Sequence, residues 1–93
     1  MKTKKVIKFS ASWCQPCKVY AKTFEKVSQM DEFSGIKFES HDVEESEEIE
    51  DMAAKLQIRG VPSTVLFDED GNVLSRISGN IPAQVLVDAI RDI

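Results

Sequence analysis

The chain contains two cysteines, Cys14 and Cys17, within the run Trp13-Cys14-Gln15-Pro16-Cys17-Lys18. The residues on either side constrain the fold as much as the pair does. Upstream, Val6-Ile7-Lys8-Phe9-Ser10 is a short β-like run, while downstream Cys17, Tyr20, Ala21, Phe24 and Val27 recur at helical spacing. The pair therefore lies where a strand hands over to a helix, with Cys14 at the helix N-terminus. Unpaired backbone N–H groups and the positive end of the helix dipole favour an anion there, and so a thiolate over a thiol. Cys14 is the predicted nucleophile. Cys17, one turn further in and on the apolar stripe, is expected to be more buried and placed to form a disulfide with Cys14.

The remaining chain reads as alternating elements. Val6 to Ser10 forms a central strand, with Ile7 and Phe9 on one face and Val6, Lys8 and Ser10 on the other, so Lys8 stands out as a charge on a strand due for burial. The first helix runs from about Cys14 to near Met30, with Lys18, Lys22 and Lys26 on its wet face and Ser34-Gly35 as its break. Ile36 to Val43 reads as a second strand, joined to the first by a parallel, right-handed crossover. Ser46 caps a second helix whose first turn carries Glu47 and Glu48; Ile49, Met52, Ala53 and Leu56 form its apolar stripe, and it ends near Gln57. Gly60 and Pro62 punctuate the chain before a third strand, Ser63 to Phe67. The turn Asp68-Glu69-Asp70-Gly71-Asn72 leads back into a fourth strand, Val73 to Ser78. Pro82 opens a last helix with Val85, Leu86, Ala89, Ile90 and Ile93 on its buried face. The order β-α-β-α-β-β-α implies an α/β domain spanning residues 1–93, a four-stranded mixed sheet with helices on both faces.

Composition narrows the function classes. Ninety-three residues with 42% hydrophobic content suit one domain that folds without staples. No apolar run approaches the ~18 residues of a membrane span, and the Met1 to Lys5 start leads into a strand rather than a signal-peptide core. The cytosol is the expected compartment. A disulfide between Cys14 and Cys17 would close a tiny loop and constrain the unfolded chain little, so a redox role outweighs a stapling one. Zinc wants about four ligands, and His41 is the lone histidine to add to two thiols, so no metal site is expected. His41 itself reads as a structural strand residue. The net charge of -4 opposes general attraction to nucleic acid. Acidic residues crowd the segment from Glu39 to Asp51, which reads as a solvated loop and helix face, with a docking surface as the alternative.

The run Trp13-Cys14-Gln15-Pro16-Cys17-Lys18 resembles the active-site motif of the thioredoxin family, Trp-Cys-Gly-Pro-Cys-Lys, with Gln15 in place of glycine. The resemblance extends to Gly60-Val61-Pro62-Ser63 before a hydrophobic strand and to Gly79 ahead of the last helix. It implies a minimal thioredoxin-like fold and a thiol–disulfide oxidoreductase that reduces protein disulfides through a Cys14/Cys17 cycle. By the same resemblance Trp13 offers a flat contact surface, although an ordinary half-buried aromatic reads nearly as well; Pro16 stiffens the motif, and Gln15 tunes its potential. Val61-Pro62 resembles the family's cis-proline loop, which pairs with an extended substrate segment, and Gly79 resembles the glycine lining the same groove. Lys8 departs from the pattern: the family has a buried aspartate six residues before the first cysteine, and that acid's partner lysine corresponds to Ser40. Lys22 stands where the family has a kinking proline. The implied partners are disulfide-containing proteins and a separate reductase or glutathione for recharging; no cofactor beyond the redox-active disulfide is implied, and a monomer is expected. A glutaredoxin-like, glutathione-coupled reductase and a non-catalytic docking subunit of a larger complex are the competing readings.

Overall fold

The computed structural model describes residues 1–92. Along the chain it forms β1 (Lys5–Ser10), α1 (Gln15–Ser28), a 3-10 turn (Asp31–Phe33), β2 (Lys37–Asp42), α2 (Glu47–Lys55), β3 (Ser63–Phe67), β4 (Val73–Ser78) and α3 (Ala83–Arg91). The strands lie in the order β2-β1-β3-β4, with β1 parallel to β2 and antiparallel to β3, and β3 antiparallel to β4. This is the expected mixed sheet, with β1 inside it.

Alternation along β1 divides the core in two. Val6 packs with Tyr20, Phe24 and Val27 of α1 and with Leu86, Val87 and Ile90 of α3. On the other face, Ile7 and Phe9 pack with Ile49 and Ala53 of α2. Strand β3 is buried at every position, as a strand covered on both faces requires, and its run Ser63-Thr64-Val65-Leu66-Phe67 carries no charge. No helix among the described residues is long and apolar enough to cross a membrane.

Helix α2 starts where its cap predicts, with Ser46 Oγ accepting from the Ile49 N–H at 3.2 Å. It closes in a Schellman motif. Gln57 takes a φ of 59°, its N–H donates to the Ala54 carbonyl, the Ile58 N–H donates to the Ala53 carbonyl, and Ile58 packs onto the apolar cluster.

Two expectations need correction. Helix α1 ends at Ser28, not near Met30, and it stops before Ser34-Gly35. The intervening 3-10 turn swings Phe33 into the core at 0% exposure, where it meets Phe38 with ring centroids 6.5 Å apart. Helix α3 is also rotated from its expected face: Val87 is buried, whereas Val85 is 45% exposed. Its apolar residues wrap so far around the axis that two stripes, offset by about one residue, fit a 3.6 period equally well. Packing against α1 selects the one through Ala83, Leu86, Val87 and Ile90. Ile93, expected on this face, lies outside the described residues.

Candidate active site

Strand register assembles the site from three places in the chain. Phe9 pairs with Ser63, so the residues just before β3 lie beside those just after β1. Ser63 in turn pairs with Ser78, which sets Gly79 against Pro62. The Gly79 N–H donates to the Pro62 carbonyl at 2.9 Å, and Gly79 holds a φ of +94°, a conformation that glycine adopts without a Cβ clash. The Val61-Pro62 bond is cis and Pro62 is buried.

Cys14 caps α1. Its backbone is extended, and its Sγ accepts the Cys17 N–H at 3.2 Å, so one of the helix's orphan donors is aimed at sulfur. Pro16 stands in the first turn, where its missing N–H costs no helical bond, and both it and Gln15 are exposed. Cys14 and Cys17 are joined as a disulfide with Cα atoms 5.3 Å apart. Cys14 Sγ lies 3.7 Å from the Val61 carbonyl oxygen, and Ala11, Val43 and Val61 pack around the sulfurs. The expected contrast in burial is small: Cys14 is 5% exposed and Cys17 3%. In the oxidised state both cysteines are sheltered.

Trp13 is 67% exposed, which disposes of the half-buried alternative. Its Nε1–H donates to Glu44 Oε1 at 3.0 Å, fixing the indole edge so that the ring presents a face. A groove of about 340 Å³ runs from Trp13 past Val43 and Ala53 to Ile58, Arg59 and Val61. Glu44 and Arg59 carry no motif signal in the sequence; only the fold brings Glu44 to the Trp13 indole and Arg59 into the groove beside it.

Lys8 is the sole charged residue in the buried set, at 6% exposure. Its Nζ lies 5.4 Å from the Phe24 ring centroid, and burial pushes its pKa below the usual lysine value. Ser40, its register partner on β2, is exposed. A second, smaller cleft of about 170 Å³ is lined by Lys8, Ser10, Cys17 and Asp42 and shares no lining residue with the Trp13 groove. His41 packs against Phe9 and hydrogen-bonds two carboxylates, Glu39 at 3.1 Å and Glu45 at 3.4 Å.

A cis-proline loop, a backbone-paired glycine and a helix-capping Cys-x-x-Cys pair meet at one end of the sheet. The thioredoxin family model matches residues 1–92. The chain belongs to the thioredoxin family. It is 36% identical over 77 residues to thioredoxin Asp f 29 of Aspergillus fumigatus, covering 83% of this chain and 66% of that relative. To a thioredoxin of Mycoplasmoides gallisepticum it is 34% identical over 88 residues, covering 95% of this chain and 82% of the relative. The oxidised mitochondrial thioredoxin 3 of Saccharomyces cerevisiae superposes with a TM-score of 0.81 at 31% identity, covering all of this chain and 81% of the other. The family's activity is thiol–disulfide oxidoreduction at a Cys-x-x-Cys pair, and this chain has that pair at Cys14 and Cys17. Its redox-active group is the protein's own disulfide.

Proposed function

We propose that this protein reduces disulfides of other proteins, with Cys14 as the attacking thiolate and Cys17 as the resolving one. The observation that carries the reading is the position of Cys14 Sγ, which receives the Cys17 N–H at a helix N-terminus and stands beside the Val61 carbonyl at the edge of a groove. The helix end stabilises the anion, and the groove provides a place for the substrate's flanking residues. Trp13 and Val61 line that groove, and the Gly79 N–H holds the carbonyl of the adjoining Pro62. An extended substrate segment pairs with the loop at Val61-Pro62 in this reading, and its neighbouring side chain lies along Trp13.

In the reaction, the Cys14 thiolate attacks one sulfur of the partner's disulfide. A mixed disulfide forms, and the partner's other sulfur leaves as a thiolate. The Cys17 thiolate then attacks Cys14 Sγ, restoring the internal disulfide and releasing the partner's second sulfur. Two electrons pass to the partner, whose thiolates take up protons from water. Each turnover leaves Cys14–Cys17 oxidised, so a two-electron donor, a separate reductase or glutathione, must return the pair to the dithiol. A reducing compartment such as the cytosol keeps that dithiol available. Both thiols come from one chain, so a monomer is competent.

Reduction of an insulin-type disulfide substrate tests the assignment. Cys14→Ser is expected to abolish turnover, and Cys17→Ser to accumulate a mixed disulfide detectable by mass on a non-reducing gel. Normal multiple-turnover activity in Cys17→Ser protein would sink the two-thiol cycle.

A further inference from the structure

The proposed cycle requires Cys17 to lose a proton before it can attack, and Cys17 is not among the residues that line the Trp13 groove. The cleft that Cys17 does line also holds a cation. Lys8 projects from β1 on the face covered by α1, and its cleft also receives Cys17. The ammonium lies 5.4 Å from the Phe24 ring centroid rather than against a carboxylate, no ion pair or hydrogen bond of Lys8 occurs among the described residues, and its Nζ keeps contact with solvent at the cleft.

We propose that Lys8 is a positioning residue for the resolving step: its positive charge, held in the same cleft as Cys17, stabilises the Cys17 thiolate and lets the mixed disulfide resolve at lower pH. The inference rests on the two-thiol reading above. The step itself is unchanged: Cys17 Sγ releases its proton to solvent through the open cleft, its lone pair forms the bond to Cys14 Sγ, and the bond from Cys14 to the partner's sulfur breaks.

Other charges face Lys8 and set the size of the effect. From β2, Asp42 shares the face and the cleft and acts in the opposite sense, but its Oδ1 already accepts the Glu44 N–H at 2.8 Å. From α1, Lys18 reinforces Lys8, though it is exposed and screened by water. Tyr20, also on α1, is buried with its hydroxyl 2.6 Å from Thr64 of β3, the register partner of Lys8, and its pKa is raised by burial, so it stays neutral at working pH. Glu39 and His41 of β2 lie on the other face of the sheet. Lys8 is thus the cation in the cleft whose side-chain stem is buried. A charge that has lost part of its hydration acts on a neighbouring thiol more strongly than a fully exposed one. Its own lowered pKa sets an upper limit, since the effect vanishes once the amine is neutral.

Stopped-flow reaction of the reduced protein with dithio-bis-nitrobenzoate separates the two steps. The first thionitrobenzoate released reports attack by Cys14, and the second reports resolution by Cys17. In Lys8→Met the pH profile of the second phase is expected to move up by about one unit, roughly a tenfold slowing at pH values below the Cys17 pKa. The first phase should move less. Lys8→Arg, which keeps the charge, should retain the wild-type profile. Superimposable second-phase profiles for wild type and Lys8→Met would overturn the proposal, as would a Lys8→Arg profile that shifts along with Lys8→Met, because packing would then be the cause. Lys8→Gln carries the same expectation and replaces Lys8→Met if urea unfolding shows that variant to be unfolded. A wild-type protein with no second phase, or one that persists unchanged in Cys17→Ser, defeats the two-thiol cycle instead.

Discussion

Tyr20 occupies a helix stripe that periodicity reads as apolar surface, yet its hydroxyl ends 2.6 Å from Thr64 Oγ1 in a fully buried pocket. Neither residue has a signal in the sequence beyond its place on a buried face, because the contact joins positions 44 apart. Buried hydroxyls are costly when one of a pair is left alone, and nearly neutral when both are removed together. Tyr20→Phe is therefore expected to cost about 1–3 kcal/mol, the penalty of an unsatisfied buried polar group. Tyr20→Phe with Thr64→Val should recover most of that loss. Urea unfolding of the two single variants and the double variant reads the coupling, and strictly additive losses would show that the hydroxyls do not interact. Lys8 obeys the same logic in reverse. The sequence marks it as anomalous by its alternation with Val6 and Ser10, but that it has no neutralising partner among the described residues is visible only in the folded chain.

Among the elements, α3 is where local pattern and tertiary packing part. Apolar residues at 83, 85, 86, 87, 89 and 90 leave the helix free to rotate, and its contact with α1 and Val6 decides which of them are covered. Leu86 is 0% exposed, so Leu86→Ala is expected to cost about 2–5 kcal/mol, as large-to-small core changes do. Val85→Ala, on the exposed side, should stay within about 0.5 kcal/mol of wild type. Thermal or urea unfolding distinguishes these outcomes. Equal losses at the two positions would mean that the helix is rotated toward the stripe through Val85. Helix α2, in contrast, has ends dictated by local chemistry: the Ser46 cap at one terminus and the Gln57–Ile58 closure at the other need no distant partner.

For the molecule as a whole, two buried titrating groups bend the pH dependence of stability in opposite directions. Burial lowers the Lys8 pKa below 10.5 in the folded state, so between that lowered value and 10.5 the unfolded chain binds more protons and stability rises with pH. Tyr20, raised above 10.0 by burial, keeps its proton longer when folded, so stability falls as pH rises past 10.0. Subtracting the stability curve of Lys8→Met from that of wild type isolates the lysine: the difference should climb with pH, by no more than about 1.4 kcal/mol per unit, and level off above the unfolded lysine pKa. A flat difference would mean that Lys8 is as well solvated folded as unfolded. The order and type of the elements were legible in the sequence because periodicity, caps and turn residues act within a few positions. So was the thiol pair at a helix start, since a helix terminus is a local event. Burial of Phe33, the rotation of α3, the Glu44 support of Trp13 and the cleft shared by Lys8 and Cys17 were not. Each depends on strand register and helix packing between segments far apart in the chain, as Cys14 beside Val61 does across 47 positions. Such contacts form only when burying the whole core outweighs the entropy of closing those loops, so their free energy belongs to the assembled fold and leaves no local trace in residue order.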